Sequence, residues 1–334
     1  MAIVLRGRGV AVSSAAHLLG VAGIATVRET GQRRPVPVIM LSDPALALLR
    51  DVFSQPSLFA GKARIEQRIV RWGDTDPVAM PHGAVVVSED DLAAALDPQG
   101  VPHITPAAET ADFTLHAMPP FPHANRLRFG ERLSATARVT LTPTAAPATC
   151  WIESVAGGWL FLIPDGNGGA WLLAVGAAPD ALAAQAPMIG PLIAAMEPAG
   201  TTFDTSPRML ARLAGEGWLA CGTAAIAFDP ICGDGTAQAA REGILASAVI
   251  GALDRGENPA DLAVHYHSLL LAAMRRHLRL SLPFYASGGA GRWWHDQYAS
   301  ARAGYDQCSA LLGQLPEPRF ALHGFDLVRR ELAA

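Results

Sequence analysis

Two glycines, Gly7 and Gly9, separate a short apolar run at residues 2–5 from a segment of helical character at residues 13–19. A second apolar and β-branched run follows at residues 24–27, so the predicted order is strand, helix, strand. Glycines at such a turn let the backbone approach a ligand, and the helix N-terminus beyond them offers unpaired N–H groups and a positive dipole. The opening of the chain therefore predicts a βαβ unit that binds an anionic group.

Glu29 extends this pattern, because it lies 20 residues after Gly9 at the end of the second predicted strand. An acidic side chain at that point of a dinucleotide-binding unit accepts hydrogen bonds from the adenosine ribose. Val12 departs from the pattern, since a third glycine at its position normally allows helix and strand to pack closely. We expect Gly7, Gly9, Val12 and Glu29 to form part of a dinucleotide site in which Val12 pushes the helix away from the strand.

A longer constellation at residues 218–247 begins with a strand-like run that ends at Gly222 and continues into an alanine-rich helix. It resembles the flavin-contacting segment of the FAD-dependent monooxygenase and halogenase superfamily, G-D-A-A-h-x-x-D-P-x-x-G-x-G followed by a helix. The matching positions are Gly222, Ala224, Ala225, Asp229, Pro230, Gly233 and Gly235. The resemblance implies FAD as the cofactor, with the D-P turn beside the flavin ring and the helix start at Gly235 and Thr236 near the O2 and N1 end of the ring, where negative charge develops on reduction.

Two positions depart from the superfamily pattern. Thr223 replaces the usual aspartate that contacts the ribityl chain, and a hydroxyl makes a weaker hydrogen bond than a carboxylate. Residues 88–91 read S-E-D-D where the superfamily usually has an arginine that reaches the cofactor phosphates. These departures leave open a second hypothesis, that of a binding or maturation protein that keeps the flavin fold and has weakened or lost FAD binding.

A third segment, residues 157–164, reads G-G-W-L-F-L-I-P and is similar to the G-W-x-W-x-I-P strand of flavin-dependent tryptophan halogenases. The resemblance implies that Trp159 and Phe161 lie near the substrate, although an ordinary strand with aromatic residues in the core is an equal alternative. His82, in M-P-H-G before a strand, could also face the substrate or be a loop histidine with its own partners. Trp159, Phe161 and His82 are the predicted substrate residues.

Lys62 bears on the choice between halogenation and hydroxylation, because it is the only lysine in the sequence. The halogenases that this chain resembles rely on a lysine between flavin and substrate, and Lys62 lies in F-A-G-K-A-R, without the segment that carries theirs. A monooxygenase needs no such lysine, since the reduced flavin activates oxygen for transfer within a dry pocket. Hydroxylation is therefore favoured over halogenation.

The order of elements predicts an α/β fold, namely a Rossmann-type FAD-binding domain with an inserted antiparallel β-sheet substrate domain and C-terminal helices. Alternating segments between residues 133 and 176, separated by glycine-rich turns, indicate the inserted sheet. We assign residues 1–60, 84–120 and 205–257 to the FAD-binding domain. Residues 61–83 and 121–204 form the predicted substrate domain, and residues 258–334 the C-terminal helical region.

Composition narrows the partners and the location. A net charge of −4 without a long run of lysine and arginine argues against nucleic acid, and no apolar run has the length of a membrane span. Four widely spaced cysteines predict neither a disulfide framework nor a metal site. With no visible export signal, we expect a cytoplasmic protein.

The resemblance implies a specific reaction. We expect an FAD-dependent monooxygenase that hydroxylates an aromatic substrate of indole or tryptophan type, with catalysis centred on the flavin and not on a side chain. One branch of the superfamily modifies tryptophan residues of partner proteins to mature their quinone cofactors, so the substrate is a small aromatic molecule or such a partner. Electrons would come from NAD(P)H or from a flavin reductase, since no separate nicotinamide fingerprint is present.

Overall fold

The computed structural model describes residues 3–31, 35–97 and 112–330, and the secondary structure below refers to these residues. The helices are α1 (Val10–Val21), α2 (Asp43–Phe53), α3 (Glu89–Leu96), α4 (Pro179–Ala183), α5 (Gly235–Asp254), α6 (Pro259–Ser287) and α7 (Arg292–Gly313). The strands are β1 (Ile3–Arg6), β2 (Thr26–Glu29), β3 (Ile39–Ser42), β4 (Arg64–Arg71), β5 (Val78–Val87), β6 (Phe113–His116), β7 (Arg126–Arg128), β8 (Leu133–Leu141), β9 (Thr149–Val155), β10 (Gly158–Pro164), β11 (Gly169–Val175), β12 (Ile193–Met196), β13 (Phe203–Asp204), β14 (Arg208–Leu210), β15 (Ala214–Gly215), β16 (Trp218–Ala220), β17 (Ile226–Ala227), β18 (Phe320–His323) and β19 (Asp326–Arg329).

A mainly parallel sheet carries the predicted βαβ unit. Its strand order is β15-β16-β6-β1-β2, with β16, β6, β1 and β2 parallel and β15 antiparallel at one edge. Helices α1 and α5 pack against each other, and the small Gly243 of α5 makes this close approach possible. A Cβ atom there would collide with the carbonyl oxygen of Ala11. The carboxyl ends of β1 and β16 and the N-termini of α1 and α5 thereby meet at one edge of the sheet.

A larger sheet contains the predicted substrate strands. Within the described ranges its order is β12-β8-β11-β10-β9-β4-β5-β3, and β13 also pairs with β8. The pairs are antiparallel apart from β4 and β9, which run parallel, so the prediction of an antiparallel sheet holds for most of it. Leu160 and Leu162 of β10 point to a core shared with α4, whereas Phe161 and Ile163 point to the opposite face.

The predicted domain boundary at residues 83 and 84 falls inside one strand. β5 runs without interruption from Val78 to Val87, and β3, which was predicted to belong to the FAD-binding domain, pairs with it along Ile39–Ser42. Strand pairing between segments far apart in sequence decides this arrangement. Residues 98–111 and 331–334 of the predicted FAD-binding and C-terminal regions lie outside the described residues, and the division into domains stays a prediction.

The C-terminal region packs α6 and α7 against each other and against both sheets. Tyr266 of α6 donates a hydrogen bond to the carbonyl oxygen of Ala220 at the end of β16 (2.9 Å). Trp294 of α7 donates through Nε1 to the carbonyl oxygen of Val155 in β9 (2.9 Å). A hairpin of β18 and β19 follows the helices, so the region is not entirely helical as predicted. None of the helices in the described residues is long and apolar enough to cross a membrane.

Candidate functional site

The turn between β1 and α1 has the geometry that its glycines predict. Gly7 and Gly9 have φ angles of 116° and 107°, which L-residues with a side chain rarely adopt. The Gly7 N–H donates to the carbonyl oxygen of Glu29 (2.8 Å), and a Cβ on Gly7 would come within 3.1 Å of the Ala117 backbone. This turn is therefore held between β2 and the segment after β6, and it leaves the N-terminus of α1 open.

The N-termini of α1 and α5 both lie at the same cavity, and neither has a side-chain cap. Gly9 and Asp234 are the N-cap residues and make no capping hydrogen bond, whereas Ser42 and Ser88 cap α2 and α3. First-turn N–H groups that no side chain satisfies are donors for an anionic ligand. Val12 does not contribute to the cavity, because its side chain is completely buried in the core beneath α1.

The Glu29 carboxylate forms an ion pair with Arg6. The carboxylate accepts hydrogen bonds from Nε and Nη2 of Arg6, at 2.8 and 3.0 Å, and the residue is buried at 8% exposure. His116 lies on the other side of Arg6, and burial together with the Arg6 charge lowers the pKa of His116 to about 4. The neighbouring Arg28 and Thr30 line the cavity, and Glu29 does not. A contact between Glu29 and a ribose stays a prediction.

The cavity has a volume of about 1210 Å³ and extends from the N-terminus of α1 to the face of the larger sheet that carries Phe161 and Ile163. Of the predicted cofactor residues, it is lined by Gly9, Gly222, Thr223, Asp229, Pro230, Gly233, Gly235 and Thr236. Gly222 and Gly233 have φ angles of 73° and 64°, and a Cβ atom on Gly9, Gly233 or Gly235 would meet open space. The two glycine motifs thus line one cavity, and they leave room for a ligand that approaches the backbone closely.

Glu242 lies deep in this cavity and was not recognised from the sequence. Its Oε2 accepts a hydrogen bond from the Gly222 N–H (2.6 Å), and the residue is 2% exposed. Burial raises the pKa of the Glu242 carboxyl to about 8, against the opposing effect of hydrogen bonds from Gly222 and Gln238. Glu242 is therefore mainly neutral at pH 7. Glu242 directly precedes Gly243, the glycine of α5 that contacts α1. An acidic residue beside a glycine in an alanine-rich helix is the sequence signal that could have revealed it.

Asp229 of the D-P turn points its carboxylate into a buried network. Oδ2 is 3.2 Å from Nε of Arg132 and accepts a hydrogen bond from the Tyr285 hydroxyl, while Oδ1 accepts the Ile231 N–H (3.0 Å). The Asp229 N–H donates to Nε2 of His277 (2.9 Å), and burial lowers the pKa of His277 to about 4. The Asp229 side chain thus holds the turn in place from behind, and its backbone is the part that faces the cavity.

Arg132 links this turn to the rest of the molecule. Its side chain is fully buried, and its guanidinium lies 4.4 Å from the centre of the Tyr285 ring. It also donates to the carbonyl oxygens of Phe129 (3.2 Å) and Gln297 (3.4 Å). The network therefore joins the segment before β8, the D-P turn, α6 and α7.

The three predicted substrate residues occupy different places. Phe161 lines the cavity together with Ile163, Leu173 and Thr136 from the same face of the sheet. Trp159 is on that face too, but it is 1% exposed and packs in an aromatic cluster with Tyr285 and Trp294, outside the cavity lining. Because the C-terminal helices cover Trp159, its position is that of an aromatic residue in the core.

His82 lies in β5 and is also outside the cavity lining. It is half-buried, and burial together with the positive charge of Arg68 lowers its pKa. Its contact with a substrate stays a prediction that this geometry does not support.

The acidic residues at the start of α3 form hydrogen bonds and an ion pair within the protein. Ser88 and Asp91 form a capping box, in which the Asp91 N–H donates to Ser88 Oγ (3.0 Å) and the Ser88 N–H donates to Asp91 Oδ2 (2.9 Å). Lys62 donates to Asp91 Oδ1 (2.6 Å), and this bond lowers the pKa of Asp91. Glu89 is buried, accepts the Val36 N–H (2.8 Å) and lines the cavity. In the described residues no group of histidine, cysteine and acidic side chains is arranged to hold a metal ion.

Comparison with known proteins gives matches at the level of structure. No family model matches the sequence, and no curated protein matches it. The solved structure of the peptidyl tryptophan dihydroxylase QhpG, essential for tryptophylquinone cofactor biogenesis, superimposes with a TM-score of 0.73 at 22% identity over 88% of this chain and 78% of that one.

Two halogenase structures are similar to the same extent. The flavin-dependent halogenase CmlS has a TM-score of 0.75 at 15% identity, over 93% of this chain and 72% of its own. The myxobacterial chondrochloren halogenase CndH, a variant of FAD-dependent halogenases, has a TM-score of 0.74 at 15% identity, over 95% and 91%. The predicted fold is confirmed: the chain has the α/β architecture of the FAD-dependent halogenases and of the tryptophan dihydroxylase.

Proposed function

We propose that this protein is an FAD-dependent monooxygenase that hydroxylates the indole ring of a tryptophan side chain in a partner protein. The observation that carries the proposal is one cavity that joins two uncapped helix N-termini, the D-P turn and the apolar sheet face with Phe161. The similarity to the tryptophan dihydroxylase supports the substrate, and the similarity to FAD-dependent halogenases supports the cofactor.

The residues present fit FAD. Open space above Gly9, Gly233 and Gly235 leaves room for a ligand against the backbone, and the uncapped N-terminus of α1 offers donors to a diphosphate. The N-terminus of α5 would face the flavin ring, where its dipole stabilises negative charge. Thr223 is exposed in the cavity and would hydrogen-bond the ribityl chain. We infer that Gly7 holds the turn and that Asp229 and Pro230 position the ring.

Bound FAD, reduced by NAD(P)H or by a flavin reductase, would supply two electrons, so that one atom of O₂ enters an aromatic C–H bond and the other leaves as water with two protons. The protein supplies a dry surface for this step, since Phe161, Ile163 and Leu173 cover one side of the cavity with apolar atoms. No side chain is assigned as the acid or base.

Lys62 favours hydroxylation over halogenation within this proposal. Its Nζ lies 2.6 Å from Asp91 Oδ1 beside α3, it is not part of the cavity lining, and the sequence contains no other lysine. The lysine-dependent route of the halogenases that the sequence resembles therefore has no candidate residue here. The predicted cytoplasmic location and the absence of a nucleic-acid or membrane partner stay predictions.

The first test is FAD binding, measured by the change in flavin absorbance and fluorescence as FAD is titrated into the protein. We expect stoichiometric binding that becomes several-fold tighter in Thr223→Asp, because a carboxylate makes the stronger, charge-assisted hydrogen bond, and weaker in Thr223→Val. Equal affinities in the three proteins would remove Thr223 from the site. A protein that shows no spectral change with FAD would favour a binding or maturation role without flavin.

The second test is oxygen transfer. The FAD-loaded protein is reduced anaerobically and mixed with oxygen in the presence of short tryptophan-containing peptides. We expect a peptide product heavier by one oxygen atom, which mass spectrometry places on the indole ring. An identical run with phenylalanine in place of tryptophan serves as the control. Stoichiometric hydrogen peroxide without product, for every indole tested, would contradict the proposal.

A further inference from the structure

The cavity opens to solvent beside three arginines, Arg126 and Arg128 of β7 and Arg208 of β14, which we call the arginine cluster. β7 and β14 are neighbours in a small antiparallel sheet, and Arg208 pairs in register with Arg128. Arg126 and Arg208 line the cavity, and Arg126 is exposed. The exposed Phe203 lies at the same end of the cavity.

The arginine cluster has a surplus of positive charge. Asp204 is the acidic partner of two of its members, since Asp204 Oδ2 lies 3.4 Å from Nη2 of Arg128 and 3.7 Å from Nη1 of Arg208. Arg208 Nη1 also donates to the carbonyl oxygens of Asp204 and Ser206, both at 3.1 Å, which fixes the position of its guanidinium. The Asp204 carboxylate therefore pairs with two of the three guanidinium groups, and among the described residues it has no ion pair with Arg126.

Arg126 is the member without a protein partner. Within the part of the chain that the structure describes, its guanidinium makes no hydrogen bond and no ion pair. The other arginines of the cavity lining each have an acidic neighbour: Arg8 has Asp90 at 3.9 Å, Arg28 has Asp97, and Arg208 has Asp204. Burial lowers the pKa of Arg208, and the charges of Arg126 and Arg128 act in the same direction while Asp204 opposes them. An anion at this place would be attracted by both Arg126 and Arg208.

Apolar and aromatic side chains form much of the wall at this end of the cavity, beside the hydroxyl groups of Thr136 and Thr205. Phe161 and Leu173 lie on the sheet face, and Phe203 lies beside the opening. An apolar wall with a few convergent polar groups fixes the orientation of a ligand that has an aromatic body and one charged group. A guanidinium binds a carboxylate with two parallel hydrogen bonds, which an amide of the same shape cannot match in strength.

We propose that Arg126, supported by Arg208, binds a carboxylate of the substrate at the mouth of the cavity, so that this protein selects an aromatic substrate with an acidic group close to its ring. This inference rests on the proposed function and names its substrate class. The carboxylate can belong to the tryptophan itself, where that tryptophan is the last residue of a partner protein, or to an acidic residue next to a tryptophan in the partner.

The test measures binding without turnover, by calorimetry with the oxidised FAD-loaded protein and two matched pairs of probes. One pair is N-acetyltryptophan and N-acetyltryptophanamide, and the other is acetyl-Trp-Glu-amide and acetyl-Trp-Gln-amide. We expect the acidic member of at least one pair to bind about tenfold or more tightly than its neutral twin. A preference within the first pair identifies a carboxylate on the amino acid, and a preference within the second pair alone identifies an acidic neighbour.

Variants connect this preference to Arg126. Arg126→Gln should remove the preference and Arg126→Glu should reverse it, with FAD affinity unchanged in both. Arg302→Gln, which removes the same charge from the exposed face of α7, should keep it. Equal binding of acidic and neutral probes, or no binding of either acidic probe, overturns the proposal. A loss of FAD affinity in Arg126→Gln also overturns it, because the arginine would then belong to the cofactor site.

The outcome is separable from that of the proposed function. If the neutral indole is oxygenated and the acidic probes show no preference, the monooxygenase stands and the carboxylate site falls. If FAD does not bind, the same calorimetry on the flavin-free protein still reports the carboxylate preference.

Discussion

Replacing Arg132 with methionine should lower the free energy of unfolding by about 3–5 kcal/mol, the cost of leaving one member of a buried ion pair without the other. Arg132 and Asp229 both have side chains with no exposed surface, and water cannot replace the lost guanidinium. The Tyr285 hydroxyl and the Ile231 N–H would remain as the hydrogen-bond donors to Asp229. Urea denaturation followed by circular dichroism measures the effect.

Two controls separate the buried pair from a general loss of charge. Arg302→Met breaks an exposed pair with Asp306 on α7 and should leave the free energy of unfolding almost unchanged, because water solvates both charges. The double variant Arg132→Met with Asp229→Asn removes both charges and should be less destabilised than the sum of the single variants. An Arg132→Met protein as stable as Arg302→Met would show that the network does not stabilise the fold.

The Arg132→Met substitution should also affect the predicted cofactor site. Because Asp229 holds the D-P turn from behind, Arg132→Met should also weaken FAD binding, although Arg132 itself does not line the cavity. A contact that only stabilised the core would lower the free energy of unfolding without changing the affinity for FAD.

Much of the secondary structure is predictable, because its signals are local. Helix α3 runs from Glu89 to Leu96, and Ser88 and Asp91 of the S-E-D-D segment supply the capping box at its start. Helix α5 begins at the predicted Gly235, directly after the glycine-rich turn, and ends at Asp254. The segment predicted to contact the flavin lies at the cavity, because its turn residues occur in consecutive order along the chain.

Pairing between distant segments is not predictable in the same way. Nothing in the sequence of β4 shows that it pairs in parallel with β9, about eighty residues later, or that β3 joins the larger sheet through β5. Trp159 lies on the same face of β10 as Phe161, which lines the cavity. It does not line the cavity itself, because α6 and α7 pack over it. The predicted domain boundary falls inside β5 for the same reason, because the pairing of β3 with β5 is not visible in the sequence.

The charges of the site depend most strongly on such distant contacts. Glu29 has the spacing of a ribose ligand, yet Arg6, on the adjacent parallel strand, already occupies its carboxylate. Arg126 is an ordinary strand residue in the sequence, and its importance comes from the absence of a partner among the described residues. Sequence motifs therefore located the backbone of the candidate site, whereas the side-chain electrostatics became visible only in the fold.

Glu242 shows how such a contact produces a measurable property. Its carboxyl group is fully buried beside the Gly222 N–H, near Cys221 and Tyr266, and burial raises its pKa from 4.5 to about 8. In the unfolded chain the carboxyl ionises near its ordinary value. Between these two pKa values the folded protein therefore holds one proton more on this group than the unfolded chain does, so the contribution of Glu242 to stability falls as the pH rises.

We therefore expect the wild-type protein to lose stability relative to Glu242→Gln by on the order of 4 kcal/mol between about pH 4.5 and pH 8, and the loss to level off about one pH unit above the folded pKa. Glutamine keeps an oxygen that accepts the Gly222 N–H and does not ionise, so the two proteins should be nearly equally stable at the acidic end. Denaturation of both proteins across this pH range measures the difference, because the contributions of all other groups cancel. Glu66→Gln, at an exposed position of β4, is the matched control and should follow the wild type throughout. A constant difference between wild type and Glu242→Gln at every pH would contradict a neutral Glu242 in the folded protein.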